Sequence, residues 1–210
     1  MSDHIYYIQA ATDSANVRGY EPQPPEGVDA EDFYKARMTH QYNVRFKGED
    51  PDPIRFPSEL VFSRTNPASS LDVPIFQNLG FYVRREIAET LGHFDIGRSL
   101  LKPVTVHLSD GSTNEDYVCL FVADWRSTID PERSEPFSRT YKNRPKLRTS
   151  KAIHTGVFAS PEALVGPALW FDPDVSNTFF VNADLGKALK AGHDGKKLKL
   201  KKIMISGEAN

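Results

Sequence analysis

The sequence predicts an α+β fold in which a mostly antiparallel sheet carries two related strand-helix units. The first observation behind this prediction is an internal echo: LGFYVRREIAETL (79–91) is matched at an offset of 98 residues by TFFVNADLGKAL (178–189). Each copy has the pattern of a short apolar strand that runs into a helix. The second observation is that short alternating or apolar runs, typical of strands, recur between and around the two copies.

The predicted helix of each unit has its inward residues four positions apart, which places their side chains on one helical face. The inward pairs are Ile87 with Leu91 and Leu185 with Leu189. In the second unit Asn182 is a candidate N-cap, and Asp184 lies in the first turn, where a negative charge is favourable. The echo identifies a repeated building block and points to no reaction.

Residues 1–74 are predicted to form a loop-rich N-terminal region that packs on an α+β domain comprising residues 75–210. Eight of the fifteen prolines lie in the first 74 residues. Proline donates no backbone hydrogen bond and disfavours helix at the preceding residue, so only short elements are expected here. The segment 21–32 has five acids and no base, which predicts a solvated loop. The expected strands are HIYYI (4–8), YNVRF (42–46) and ELVFS (59–63).

The middle of the chain is expected to be better ordered. PVTVHL (103–108) alternates apolar and polar residues, which indicates a half-buried strand. YVCLFVA (117–123) is apolar without alternation, as in a strand that is covered on both faces. Between them, DGSTNED (110–116) has the composition of a loop and turn.

The basic stretch 133–151 has seven Lys/Arg and one Glu, and we interpret it as a polar loop and an internal subdomain boundary. After it, IHTGVF (153–158) predicts a strand. SPEALVG (160–166) predicts a helical turn, with Ser160 as N-cap. KKLKLKKIMIS (196–206) predicts an edge strand. Its apolar phase shifts along the segment, which suggests a bulge, and its lysines would discourage edge-to-edge pairing.

Composition places the chain among globular proteins that work in a reducing compartment. Its 210 residues are enough to bury a core, and no apolar run reaches the length of a membrane helix. The N-terminus lacks the pattern of a secretory signal, and a single cysteine suits the cytoplasm. Charge is uneven: residues 1–130 carry 12 Lys/Arg against 20 Asp/Glu, whereas residues 131–210 carry 14 against 8. Such asymmetry can steer a charged partner.

The sequence offers no motif for catalysis, a metal or a cofactor, and none of these is predicted. The six histidines lack the spacing of metal ligands, and Cys119 lies in an apolar strand, where a thiol is usually inert. DPDVSN (172–177) lacks the glycine and the distal glutamate of a calcium loop, which favours a simple turn. Asp124 and Asp130 are an acid pair whose separation the sequence does not fix.

Two stretches, 119–137 and 153–189, resemble an immunity-protein family of bacterial polymorphic toxin systems. That family has an apolar strand leading to a D-x-x-D-like stretch and a serine, then a strand, a proline-started turn, an aromatic segment and a closing strand-helix unit. The matching positions are Asp124 or Asp130 with Ser134, Ala159 to Glu162, Leu169 to Phe171, and Phe180 to Asn182 with Leu185 and Leu189. FYVRREIAETL matches the family's first block, while GHDGKKLKLKKI departs from its usual end.

The resemblance implies a non-enzymatic, cytoplasmic protein that binds one cognate toxin domain and blocks it, with no membrane contact. Asp29, Glu31 and Asp32 are candidate partner-binding residues, because an acidic surface would complement the basic cleft of a nuclease toxin. Trp125 and Trp170 are also candidate partner-binding residues, because tryptophan is enriched among binding hot spots.

Two alternatives remain open. A nucleic-acid-binding accessory protein would use the basic second half, and its binding would weaken steeply with salt. A small enzyme would need a scattered site, for which Asp124, Asp130 and His154 are the candidates.

Overall fold

The computed structural model describes residues 3–12, 20–62, 71–77, 80–130, 132–134, 138–139, 145–146, 156–173, 175 and 178–207. Over these residues the predicted α+β class is confirmed, with mostly antiparallel strands. The strands, in chain order, are β1 (His4–Ile8), β2 (Tyr20–Pro22), β3 (Glu59–Phe62), β4 (Ile75–Gln77), β5 (Phe81–Arg84), β6 (Leu100–His107), β7 (Thr113–Phe121), β8 (Ser138–Arg139), β9 (Pro145–Lys146), β10 (Phe158–Ala159), β11 (Leu169–Trp170), β12 (Phe180–Val181) and β13 (Leu200–Ile205). The α-helices are α1 (Ala30–Lys47), α2 (Arg85–Gly92) and α3 (Ala183–Ala191).

The described strands lie in two larger sheets and one short ladder. One sheet has the order β2-β3-β6-β7-β5-β4, and the other has the order β10-β13-β1-β12-β11. Neighbours are antiparallel except for the parallel pairs β3 with β6 and β10 with β13. The ladder consists of β8 and β9. Strand β1, from the N-terminal region, is therefore the central strand of a sheet whose other members come from the last third of the chain.

Three hydrophobic clusters pack the helices and the two larger sheets together. Helix α1 covers one face of the six-stranded sheet, where Val44 joins a hydrophobic cluster with Leu60 and Val106. The other face of that sheet, helices α2 and α3, and the near face of the five-stranded sheet share one core cluster. The far face of the five-stranded sheet forms a third cluster, which includes Tyr7 and Trp170.

Both predicted strand-helix units are confirmed. The first consists of β5 and α2, and the second consists of β12 and α3. The inward residues of both helices are buried in the shared core cluster. Asn182 caps α3 as predicted, because its Oδ1 accepts a hydrogen bond from the Leu185 amide at 2.9 Å. The two units belong to different sheets, and α2 contacts α3.

The prediction of a strand at residues 42–46 is wrong, because these residues lie in α1. Local capping explains the helix. The Asp29 carboxylate accepts from the Asp32 amide at 3.1 Å, and Gly48 ends the helix with φ near 75°, a conformation that glycine adopts at little cost. The strands expected at 4–8 and 59–63 are present as β1 and β3.

Two further expectations need correction. Residues 113–116 are part of β7 rather than a loop. The bulge expected in the last strand is absent from the β1–β13 pairing, whose register runs without interruption from Ile8 opposite Leu200 to His4 opposite Met204. The apolar phase shifts because β13 is buried on both faces, with Leu200 in one cluster and Ile203 in another. The strand also lies between β10 and β1, so it is not an edge strand.

The remaining predictions concern short elements. Residues 103–107 of the expected strand at 103–108 lie in β6, and 117–123 falls largely in β7. Three-residue to four-residue 3₁₀ turns occur at Gln9–Thr12, Pro53–Arg55 and Pro161–Leu164. Ser160 occupies the N-cap position of the last turn without a side-chain capping hydrogen bond. Most of 133–151, and residues 153–155 of the expected strand at 153–158, lie outside the described residues.

Candidate functional site

Helix α1 offers the most distinctive surface in the described part of the chain. Its 18 residues extend for about 27 Å at 1.5 Å per residue. The inner face is buried and includes Phe33 and Val44, of which Val44 packs in the cluster on the six-stranded sheet. The outer face exposes three large apolar side chains, Met38, Tyr42 and Phe46, which are 57%, 56% and 58% accessible. Since residues four apart share a helical face, these three form one stripe.

The stripe is joined to the protein core by a chain of aromatic contacts. The ring of Tyr42 lies 4.9 Å from Phe46, which lies 5.0 Å from Trp125. Trp125 in turn lies 5.9 Å from Phe171. Backbone bonds hold Trp125 in place, because the Phe171 amide donates to the Asp124 carbonyl and the Arg126 amide donates to the Phe171 carbonyl, each at 2.8 Å. The exposed rings of Tyr42 and Phe46 therefore pack on Trp125, whose backbone is held in place by hydrogen bonds to Phe171.

Arg45 lies beneath this aromatic group. Its guanidinium carbon is 5.1 Å from the ring centre of Phe121, 5.5 Å from Trp125 and 5.3 Å from Phe171, distances at which a cation is attracted by ring faces. Burial lowers the pKa of Arg45 to about 10. Among the described residues, no acidic group pairs with Arg45, and its Nε has no hydrogen-bond partner. The aromatic faces are thus its main stabilising contacts.

The C-terminal end of α1 is anchored by Arg98. Its Nη1 donates to the Val44 carbonyl at 3.3 Å and to the Glu49 carbonyl at 3.1 Å. Arg98 also pairs with Asp124, whose Oδ1 is 3.5 Å from Nε and whose Oδ2 accepts from the Arg98 amide at 3.0 Å. Arg98 therefore connects the last turn of the helix to the segment that carries Trp125.

An open cleft of about 600 Å³ runs along one side of α1. Its lining is polar and mixed in charge, comprising Asp32, Lys35, Ala36, Thr39, His40, Asn43, Glu49 and Arg55. His40 Nε2 accepts a hydrogen bond from the Asp52 amide at 2.8 Å, which holds the following loop against the helix. The Asp52 carboxylate contacts Arg55 at 3.8 Å and accepts from the Ile54 amide. These bonds commit two of the lining residues, His40 and Arg55, to positioning the loop.

The structure brings four of the five predicted partner-binding residues to this helix. Asp29 is its N-cap, Glu31 and Asp32 lie exposed in its first turn, and Trp125 lies at its other end. Trp170 is elsewhere: it is fully buried and its Nε1 donates to the Thr128 hydroxyl at 2.9 Å. Trp170 has no surface that a partner can contact in this conformation.

Met38, Tyr42 and Phe46 were not predicted as surface residues. Their spacing of four along the chain was the available signal, and the strand expected at 42–46 concealed it, because alternating strand residues would have placed Tyr42 and Phe46 on the core face.

The candidate catalytic acids have structural partners. The Asp124 carboxylate binds Arg98, as described above. Asp130 Oδ1 accepts from the amides of Glu132 and Arg133, and hydrogen bonding, first from Ser206, lowers the pKa of Asp130. The Ser134 hydroxyl donates to the Phe158 carbonyl at 3.2 Å and accepts from the Phe158 amide at 3.0 Å. These groups stabilise loops, and His154 lies outside the described residues.

Burial raises the pKa of the Cys119 thiol to about 11. Nowhere in the described part of the chain do three or more His, Cys, Asp or Glu side chains converge as metal ligands would. Asp172, from the suspected turn at 172–177, is a buried acceptor for the Thr128 and Ile129 amides. Across the described ranges, no helix combines the length and apolar content needed to cross a bilayer.

Comparison with known proteins adds no assignment: no family model matches the chain, and a search of curated proteins finds no match.

Proposed function

We propose that this chain is a cytoplasmic immunity protein of a bacterial polymorphic toxin system. It binds a cognate toxin domain one to one and neutralises it without catalysing a reaction, in the setting of competition between bacteria. The observation that carries the proposal is the stripe of Met38, Tyr42 and Phe46 on the outer face of α1. The family resemblance at 119–137 and 153–189 is the reason for proposing a toxin domain as the partner.

The composition of the α1 surface supports a role in protein binding. Interface cores are enriched in Tyr, Trp, Phe, Met and Arg and depleted in most charged residues. The stripe presents three side chains of the favoured types on one face, and the half-buried Trp125 lies against Phe46 at its end. Other exposed large apolar residues in the described ranges, such as Val61 and Met204, do not form such a row on a helix. Scattered apolar residues are normal on protein surfaces and need no partner.

The roles of the reactive side chains also support binding over catalysis. A stoichiometric inhibitor needs a rigid scaffold and a complementary surface. Asp124, Asp130 and Ser134 hold loops together, and Cys119 is a core residue of β7. Because these side chains make hydrogen bonds or pack within the chain itself, they fit the rigid scaffold of a binding protein.

The proposal is tested by growth of a heterologous bacterial host. Each gene that neighbours the gene for this chain is tested as a candidate toxin by expressing it with and without the chain, and both proteins are purified together. Restored growth and a complex of one to one stoichiometry are the expected results. If the chain is well expressed but growth is not restored, the pairing is wrong. Salt-sensitive binding to nucleic acid, or an activity lost on replacing Asp124 or Asp130, would then identify one of the alternatives.

A further inference from the structure

The outer face of α1 carries a row of apolar side chains of the kind that a helix places into a partner's groove. Met38, Tyr42 and Phe46 lie at positions i, i+4 and i+8, so they extend over about 12 Å of a convex helix. A helix that recognises a partner by such a row of anchors does so by entering a hydrophobic groove. Because the row lies on the outer, convex face of the helix, a concave complementary surface would belong to the partner.

Two of the anchors, Tyr42 and Phe46, are held in position by ring contacts before binding. Tyr42 packs against Phe46 and Phe46 against Trp125 with tilted rings, at centroid distances of 4.9 and 5.0 Å. The helix beneath them is capped at both ends. Side chains that are already ordered lose less conformational entropy on association, which favours tight binding. Trp125, which is half-buried and packs against the core, supports Phe46 at the end of the row.

Negative charge flanks the row at both ends. Residues 21–32 carry five acids and no base, and Glu49, Asp50 and Asp52 follow the C-terminal end of the helix, where Arg55 pairs with Asp52. The acids at both ends are exposed. Between the two groups, the exposed bases of the helix are Lys35 and Lys47. An apolar centre between two acidic ends is complementary to an apolar groove whose two ends are basic.

We propose that α1 inserts its Met38–Tyr42–Phe46 row, which Trp125 supports at one end, into a hydrophobic groove of the cognate toxin whose two ends are lined by Lys or Arg. The inference rests on the proposed function and specifies the surface and its chemistry. The same charges disfavour other occupants. Nucleic acid and anionic lipid would meet acids at both ends of the row. A second copy packed through this face would also place acidic groups against acidic groups in either direction.

Binding kinetics with matched variants test the insertion. The probe is the catalytically inactivated domain of the candidate toxin used in the growth test above. Met38→Ala, Tyr42→Ala, Phe46→Ala and the triple variant are compared with Met204→Ala, which makes the same methionine truncation on β13 of the other sheet. We expect the triple variant to lose affinity by about 100-fold or more, mainly through faster dissociation, as for hot-spot residues. Met204→Ala should bind as the unmodified chain does.

The charge component is tested separately. Glu31→Gln with Asp32→Asn, and Glu49→Gln with Asp50→Asn, remove charge at each end of the row while leaving the Asp29 cap intact. Glu115→Gln with Asp116→Asn is the matched control at an exposed acidic pair on β7. Each end variant should slow association by about tenfold at low salt, with a smaller effect at high salt. The control pair should have little effect.

The outcomes separate the inference from the proposed function. Normal binding by a folded triple variant would overturn the insertion of α1, while the complex itself would still support the immunity role. Self-association of the chain that depends on the stripe would overturn the insertion in favour of a second copy. If the inactivated toxin domain does not bind the unmodified chain and growth is not restored, both proposals are wrong. Circular dichroism confirms that each variant is folded.

Discussion

Phe81 and Phe179 occupy the same position in the two strand-helix units and pack edge to face, with ring centroids 5.1 Å apart and ring planes inclined by 75°. Phe81 begins β5 of the six-stranded sheet, and Phe179 directly precedes β12 of the five-stranded sheet. Helices α2 and α3, which follow these strands, also contact each other. The repeated unit therefore joins the two sheets, because equivalent residues of its two copies meet in the shared core.

Gly186 permits the close approach of α3 to β1. A Cβ atom at this position would overlap the ring of Tyr6. Gly186→Ala should therefore reduce the free energy of unfolding by about 1–3 kcal/mol, the usual cost of overpacking a core, although alanine favours helix. The measurement is urea denaturation followed by circular dichroism. Gly92→Ala in α2 is the control, since its Cβ meets no atom within 4 Å, and it should be neutral or slightly stabilising. Equal stability of both variants would contradict this account.

The two strand-helix units could be predicted because their signals are local: apolar strand residues, helix spacing and the Asn182 cap lie within a few positions. Helix α1 was missed because its buried face includes the polar residues Arg37 and Gln41, while its exposed face includes Met38 and Phe46. Such a helix lacks the apolar stripe on one side that identifies a surface helix in sequence. Its local signals were the capping residues Asp29 and Gly48 and the spacing of four between Met38, Tyr42 and Phe46.

Long-range pairing could not be predicted either. Strand β1 was correctly expected at 4–8, but nothing in those five residues shows that Ile5 lies opposite Ile203. That register depends on which faces of two distant strands are buried in the assembled molecule. The candidate site required the same information, since Phe46 and Trp125 come together only when α1 is placed on the sheet.

Asp172 joins two segments that are more than forty residues apart in the chain. Its Oδ2 accepts hydrogen bonds from the Thr128 amide at 2.6 Å, the Thr128 hydroxyl at 3.1 Å and the Ile129 amide at 3.0 Å. Asp172→Ala would leave these buried donors without their acceptor, at about 1–3 kcal/mol for each unsatisfied group. We expect a loss of at least about 3 kcal/mol in the free energy of unfolding, measured by urea denaturation. Asp130→Ala, at a partly exposed loop, should cost less than half as much, and a similar cost would argue against the buried network.

Cys119 should be unreactive in the folded protein. Burial raises the pKa of its thiol from 9.0 to about 11, so very little thiolate exists near neutral pH, and the sulfur is inaccessible. Iodoacetamide at pH 8 should label the chain in 8 M urea and leave the native chain unlabelled, as judged by intact mass. The unfolded state loses the thiol proton first as pH rises. The corresponding stability is therefore complete below about pH 9 and is lost as pH rises towards 11. Cys119→Ala should remove this part of the alkaline pH dependence, and rapid native labelling would contradict the assignment.

Asp194 connects the end of the second strand-helix unit to the first. Its carboxylate is 3.4 Å from Arg84 Nε and 3.5 Å from Lys197 Nζ, and its side chain is 1% exposed. Asp72 lies on the outer side of the same cluster, where it binds Arg84 and Lys197, and hydrogen bonding and charge, first from Lys197, lower the pKa of Asp72. Removing Asp194 leaves Arg84 without its buried carboxylate partner. Lys197 is partly exposed, so water can solvate its charge and the loss of stability is smaller.

We therefore expect Asp194→Ala to reduce the free energy of unfolding by about 1–3 kcal/mol, below the usual cost of breaking a fully buried pair. Asp184→Ala is the matched control, because its 3.3 Å contact with Lys187 joins two exposed side chains. Exposed pairs contribute little, so this variant should lose less than about 1 kcal/mol. Both are measured by urea denaturation at low and high salt. The Asp184 contribution should fall with salt, whereas that of buried Asp194 should persist, because ions screen buried charges weakly. Equal losses that vanish together at high salt would show that Asp194 behaves as a surface charge.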